Sequence, residues 1–70
     1  MKEISKEIKR QRKELRLTQQ DAAVILSVSR VTYIKWESEP ATMPIGKYEQ
    51  LMTEFARLRE LREAKEIKES

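Results

Sequence analysis

The chain has 70 residues, which is enough for one small domain, because a second hydrophobic core would have almost nothing left to bury. Cysteine and histidine are both absent, which excludes a disulfide framework, thiolate or imidazole metal sites, and a histidine general base. Charged residues make up 39% of the chain while proline numbers two and glycine one, a composition typical of a helical protein.

The charge is unevenly distributed, although its net value is only +3. Residues 1–20 carry seven Lys/Arg against three Glu, an excess of +4, whereas residues 41–70 carry six of each sign. No apolar run reaches the length of a membrane span, and the first residues lack the apolar stretch of a secretory signal. We therefore expect a cytoplasmic protein with no membrane partner, whose basic N-terminal part suits a polyanion such as nucleic acid.

The first half of the chain predicts two helices. Ile4, Ile8 and Leu15 recur at the spacing of one helical face, which predicts a first helix over residues 2–15. Thr18 and Asp21 have the spacing of a capping box, with Asp in place of the more usual Glu, and predict the start of a second helix. Its apolar pattern stops after about two turns.

A third short helix is predicted from Ser29, a favourable N-cap residue, to about Glu37. Pro40 and the two residues before it cannot easily extend this helix, so residues 38–44 are expected to form a loop. The apolar side chains of this helix are Val31, Tyr33, Ile34 and Trp36. Tyr33 and Trp36 are expected to lie in the core rather than to stack on DNA bases, because they are in phase with the other apolar residues.

The last predicted helix is long and changes character along its length. Apolar residues recur in steps of three and four from Ile45 to Leu58 and indicate a core helix. Beyond residue 60 the stripe thins to Leu61, Ala64 and Ile67. We therefore expect residues 1–58 to form the domain, and residues 59–70 to be an extension of the fourth helix that pairs subunits or frays.

Two short capped helices separated by about three residues have the spacing of a helix-turn-helix. The segments Leu17-Thr18-Gln19-Gln20-Asp21-Ala22-Ala23 and Val28-Ser29-Arg30-Val31-Thr32-Tyr33-Ile34-Lys35-Trp36-Glu37 resemble the lambda-repressor-like, Cro-like family of the xenobiotic-response-element type. This resemblance covers residues 4–58. The chain departs from the family at Ser27 and Ser38, where glycine is frequent, and in lacking a separate fifth helix.

The resemblance implies an all-α bundle of about four helices and assigns roles to specific residues. Base edges are expected to be contacted by the residues of the third helix that point away from its buried side chains. These residues are Arg30, Val31, Thr32 and Lys35, of which Val31 is borderline. Expected phosphate contacts are Gln19, Gln20, Ser29, Lys9, Arg10 and Lys13. Arg12 and Glu37 match the positions of a structural ion pair. If the turn needs a left-handed residue, Ser27 must supply it.

The function expected from these features is that of a phage or bacterial transcriptional repressor, binding a palindromic double-stranded operator as a homodimer. The alternative is an antitoxin or adaptor that neutralises a partner protein and binds DNA only secondarily. No catalytic motif, phosphate-binding glycine loop or metal-ligand cluster occurs in the sequence. We therefore expect no enzymatic activity, no cofactor, no metal and no small-molecule ligand.

Overall fold

The structure, a computed structural model, describes the backbone of residues 2–69 and the side chains of residues 3–65. This part of the chain contains α-helices and one 3₁₀ turn and no β-strand, so the predicted all-α fold is confirmed. The elements in chain order are α1 (Lys2–Glu14), α2 (Gln19–Ile25), α3 (Arg30–Ser38), a 3₁₀ turn (Pro40–Thr42) and α4 (Ile45–Glu69).

A left-handed residue, Arg16, follows the end of α1, and no sequence pattern predicts it. Arg16 has φ 58°, its amide donates to the carbonyl of Lys13, and the amide of Leu17 donates to the carbonyl of Arg12 at 3.0 Å. These two bonds form a Schellman motif, which satisfies carbonyls at the end of α1 that have no partner within the helix. Glycine is the usual residue at such a position, and arginine takes it here at some conformational cost.

The second helix begins at the predicted capping box. The Thr18 hydroxyl accepts from the Asp21 amide at 3.0 Å, and the Asp21 carboxylate accepts from the Thr18 amide at 2.8 Å. The hydrogen bond that the backbone amide of Thr18 donates lowers the pKa of the Asp21 carboxyl group. The capping box is therefore confirmed.

The turn between α2 and α3 repeats the Schellman geometry. Ser27 has φ 57°, and the amide of Val28 donates to the carbonyl of Ala23 at 3.0 Å. The turn therefore does require a left-handed residue, and Ser27 supplies it. Ser29 then caps α3, its hydroxyl accepting from the Thr32 amide at 3.2 Å, as predicted.

The core lies where α1, α2, α3 and the first half of α4 meet. Its fully buried large apolar side chains come from α1, the C-cap of α2, α3 and α4, and are Ile8, Leu26, Tyr33, Leu51 and Phe55. Trp36 is half-buried against them. Two predicted members of apolar faces lie elsewhere: Ile4 is 40% exposed near the start of α1, and Val31 is 77% exposed on the outer face of α3.

The fourth helix runs without a break past residue 58. Arg59 donates to the side-chain oxygen of Gln11 at 2.9 Å, and Arg62 donates to the carbonyl of Glu14 at the end of α1. These two hydrogen bonds connect this part of α4 to α1. The side chain of Ile67, and Ser70, lie outside the described residues, so the role of residues 59–70 stays a prediction.

Candidate nucleic-acid interface

The outward face of α3 carries three of the four residues expected to read bases. Arg30, Val31 and Lys35 are all exposed on this short helix. The side chains of Arg30 and Lys35 have no ion-pair or hydrogen-bond partner within the described part of the chain. Two cations and one apolar side chain thus stand together on a helix of a width that a DNA major groove admits.

Thr32, the fourth expected base contact, has a different environment. Its side chain is half-buried, and its hydroxyl accepts a hydrogen bond from the Ser29 hydroxyl at 2.9 Å. Val31, which the spacing placed at the margin, instead points fully outward. The helical repeat explains this difference, because each residue turns about 100° around the axis and buried Tyr33 lies almost opposite Val31.

Three lysines follow one face of α1. Lys6, Lys9 and Lys13 are spaced three and four residues apart and are exposed, with no side-chain partner among residues 3–65. Lys6 was not among the expected phosphate contacts. The signal that would have found it is its spacing of three and seven residues from the other two lysines.

Arg10 was expected to act with these lysines, but its guanidinium is already bound. It donates to both carboxylate oxygens of Glu7 and to Glu14 at 2.5 Å, along the outer surface of α1. These bonds lower the pKa of Glu7 and keep Arg10 in pairs typical of a solvated helix. The structure therefore brings Lys9 and Lys13 together with Lys6, and leaves Arg10 in local ion pairs.

The two glutamines at the start of α2 also differ. Gln20 is exposed, whereas Gln19 is half-buried and donates from Nε2 to Glu37 Oε1 at 3.4 Å. This bond connects α2 to the end of α3. Gln20 is therefore the freer of the two expected phosphate contacts.

Glu37 is fully buried at the end of α3 and is the centre of a polar network. Arg12 donates to it through Nε at 2.9 Å and through Nη2 at 3.1 Å, so Arg12 and Glu37 form a two-pronged ion pair. The Tyr33 hydroxyl donates to the same carboxylate, and the Ser5 hydroxyl donates to the Glu37 carbonyl. The network fixes the orientation of α3 relative to α1.

The charges in this network stabilise each other. Burial by itself would raise the pKa of Glu37, but the hydrogen bonds from Arg12 and Tyr33 outweigh it and hold this pKa below its usual value. The bond to Glu37 raises the pKa of Arg12, and burial with the same carboxylate raises that of Tyr33. Glu37 is therefore a buried carboxylate that stays ionised near neutral pH.

Two residues that position the helix-turn-helix were missed by the sequence reasoning. Lys47 donates from Nζ to the carbonyl of Leu26 at 2.9 Å, and Gln50 donates to the carbonyl of Ile25 at 3.1 Å. Both belong to α4 and satisfy carbonyls at the end of α2, where a cation also complements the helix dipole. A signal existed, since a short helix ending without a nearby basic residue needs such partners from elsewhere.

The described part of the chain contains neither a cluster of metal ligands nor a membrane-spanning helix. No group of three or more Asp or Glu residues converges there in a way that could hold a metal ion. None of the helices described combines the length and the apolar character that crossing a membrane requires.

The comparison with known families agrees with this geometry. The helix-turn-helix family model matches residues 8–44, which include the second half of α1, all of α2 and α3, and the turn that follows. Searches of curated proteins and of solved structures each gave no significant match. The match covers more than half of the chain, together with the capped pair of helices and the exposed face of α3. The chain belongs to the lambda repressor/Cro-like helix-turn-helix family of DNA-binding regulators.

Proposed function

We propose that this protein is a sequence-specific transcriptional repressor that binds a palindromic operator in double-stranded DNA as a homodimer. The observation that carries the proposal is the exposed, unpartnered face of α3, formed by Arg30, Val31 and Lys35. Its site of action is the cytoplasm of a bacterial or phage-infected cell, where a homodimer bound at the operator blocks the access of polymerase.

Base reading follows from the chemistry of these side chains. Arg30 is the first residue after the Ser29 cap, so its guanidinium leaves from the end of α3 that enters the groove and can form two bonds to guanine O6 and N7. Val31 is suited to contact with a thymine methyl group. Lys35, more than one turn further along α3, can reach a guanine or a phosphate. Thr32 lies at the edge of this face, and its main role is its hydrogen bonds with the N-cap residue Ser29.

Phosphate contacts position the domain on the duplex. We assign this role to Lys9 and Lys13, joined by Lys6 on the same face of α1, and to Gln20 and Ser29 near the two capped helix starts. Gln19 shares its amide with Glu37, and Arg10 is held by Glu7 and Glu14, so their contributions are expected to be smaller. Lysine contacts release counterions from DNA and make binding strongly dependent on salt.

Selection of bound sequences from a random duplex library tests the proposal. A repressor of the proposed kind recovers one palindromic sequence, with half-sites about one helical turn apart. Recovery of duplexes without a common sequence would contradict specific binding. Copurification of a second chain in equal amounts, with no selected duplex, would instead favour a protein that neutralises a partner.

A further inference from the structure

Arg16 lies in the turn between α1 and α2, in a backbone conformation that arginine rarely adopts. Its φ of 58° is in the left-handed region, where a side chain crowds the backbone and glycine is the favoured residue. Ser27, in the turn between α2 and α3, is the other residue with a positive φ in the described part of the chain. The Schellman motif uses only the backbone of Arg16, so the fold does not require a long cationic side chain at this position.

The guanidinium of Arg16 has no partner within the described part of the protein. Arg16 and Arg30 are exposed, and neither side chain makes a hydrogen bond or an ion pair among residues 3–65. The other described arginines all donate to carboxylate, amide or carbonyl oxygens; they are Arg10, Arg12, Arg57, Arg59 and Arg62. Arg30 is the residue expected to read a base. Among the described arginines, Arg16 is therefore the one that neither the fold nor base reading explains.

The carboxylates nearest to Arg16 in the sequence already have other partners. Glu14 accepts a hydrogen bond from the guanidinium of Arg10 at 2.5 Å, and Asp21 accepts one from the backbone amide of Thr18 at 2.8 Å. Each carboxylate thus bonds to a group of its own helix or helix cap. The charge of Arg16 is therefore available to an anion outside the protein.

Arg16 lies between two groups that the proposed function assigns to DNA phosphates. Its amide donates to the Lys13 carbonyl at 2.9 Å, so its backbone lies next to the last turn of α1, at the end of the lysine face. It also follows Lys13 by three residues, which continues the spacing of that face in the sequence. Two residues after Arg16, Thr18 caps α2, which carries Gln20. A duplex whose backbone contacts both groups passes beside the turn that joins them.

We propose that Arg16 contacts the DNA backbone, and that the chain holds arginine in a strained conformation, at a cost in stability, because its guanidinium binds a phosphate. This inference rests on the proposed function, since it adds a residue to the same interface. Residues held in sparsely populated backbone conformations cluster at functional sites. Arginine suits this role because its guanidinium can donate two parallel hydrogen bonds to a phosphate. The cost is present in the free protein, and the gain is present only on DNA.

Stability and DNA affinity are therefore expected to change in opposite directions at Arg16. Arg16→Gly relieves the strain, so the Tm of the free protein is expected to rise by about 2–8 °C. The lost charge is expected to weaken binding to every duplex, on the order of 5- to 10-fold per subunit at about 0.1 M salt, and to make the slope of log K against log salt concentration shallower by about one per subunit. Base preference is expected to stay unchanged, because a phosphate contact carries no sequence information.

Three further variants separate the charge from the strain. Arg16→Gln removes the charge but keeps a side chain in the left-handed conformation, so it is expected to make the salt slope shallower without raising the Tm. Ser27→Gly relieves the same kind of strain without removing a charge, so it is expected to raise the Tm and to leave the slope unchanged. Arg57→Gln removes an exposed arginine that pairs with Glu54 on α4, and it is expected to leave the slope unchanged.

Fluorescence anisotropy on the duplex recovered by selection gives the salt slopes, and thermal unfolding without DNA gives the Tm of each variant. Arg16→Gln and Arg16→Gly proteins with the slope of the unmodified protein, or an equal change of slope in Arg57→Gln, would overturn the proposal while leaving specific DNA binding intact. A lower Tm in Arg16→Gly would also overturn it, because arginine would then not be held at a cost. Failure of the unmodified protein to select any duplex would overturn the proposed function itself.

Discussion

The hydroxyl of Tyr33 donates to the carboxylate of Glu37 one turn later in α3, and Arg12 from α1 binds the same carboxylate. The side chains of Tyr33 and Glu37 are completely buried. Charge-assisted hydrogen bonds thereby attach the inner face of α3 to the domain, while its outer face stays exposed. A rigid helix is an advantage in base reading, since small errors in orientation misplace hydrogen bonds.

Removal of the Glu37 charge is predicted to destabilise the domain strongly. Glu37→Gln leaves Arg12 buried without its counter-charge, which costs about 3–5 kcal/mol, whereas Tyr33→Phe removes one bond to a charged group and costs about 1.5–3 kcal/mol. Urea unfolding followed by circular dichroism measures both. Glu39→Gln, an exposed change two residues away, is the control and is expected to alter the free energy of unfolding little. Equal effects at Glu37 and Glu39 would contradict the network.

The stability of the protein is predicted to fall in acid because of the same carboxylate. The pKa of Glu37 is lower in the folded chain than its usual 4.5, so the folded state favours the ionised form. Its contribution is therefore complete above the unfolded pKa and is lost as the pH falls through the folded pKa. Unfolding experiments between neutral pH and strongly acidic pH are expected to show this loss. A Glu37→Gln protein should lack this component, and an unchanged pH profile in that variant would contradict the assignment.

Sequence reasoning predicted the helices and their caps because those signals are local. Thr18, Asp21 and Ser29 act within three residues of themselves, so their spacing alone indicates the helix starts. The bonds of Lys47 and Gln50 to the end of α2 join residues 21 and 25 positions apart. The local sequence shows that the end of α2 lacks a basic residue, but it does not show which distant residues bond there. Long-range polar contacts of this kind depend on the tertiary fold.

The candidate interface shows the same division. Arg30 and Lys35 were assigned from their phase on α3, and both are exposed. Helical phase alone did not predict that Val31 is strongly exposed or that the Thr32 hydroxyl bonds to Ser29. The rotation of a short helix about its axis depends on which of its side chains pack into the core. Arg10 was assigned by its charge, but its neighbours Glu7 and Glu14 determine where its guanidinium lies.

The left-handed conformation of Ser27 leads to a stability prediction. A non-glycine residue in this left-handed conformation costs roughly 1–2 kcal/mol of strain, which glycine avoids. Glycine also has more conformational freedom in the unfolded chain, and this offsets part of the gain. Ser27→Gly is therefore expected to stabilise the domain by about 0.5–1 kcal/mol. Ser38→Gly is the matched control. Ser38 is helical, and its hydroxyl bonds to the Ile34 carbonyl, so glycine is expected to destabilise the domain there by about 1 kcal/mol. Thermal unfolding of both variants measures the contrast, and destabilisation by Ser27→Gly would contradict the assigned turn.

Salt dependence is predicted to separate the lysine face of α1 from Arg10. Each lysine that neutralises a phosphate adds about −0.9 to the slope of log K against log salt concentration. Lys9→Ala is therefore expected to make the slope shallower by about one per subunit, whereas Arg10→Ala changes it less because Glu7 and Glu14 already neutralise that guanidinium. Fluorescence anisotropy on the selected duplex at several salt concentrations gives both slopes. An equal or larger effect from Arg10→Ala would show that DNA draws Arg10 out of its ion pairs.

Competition between the selected operator and its single-base-pair variants, measured for Arg30→Ala and Lys13→Ala, tests the central claim that α3 reads the sequence. Arg30→Ala is predicted to weaken binding to the operator by roughly 1–3 kcal/mol and to lose preference at one base-pair position of each half-site. Lys13→Ala is predicted to weaken binding to all duplexes alike, because a phosphate contact carries no sequence information. An Arg30→Ala protein that keeps its full preference at every position would contradict the account, since the outward face of α3 would then not be the surface that reads DNA.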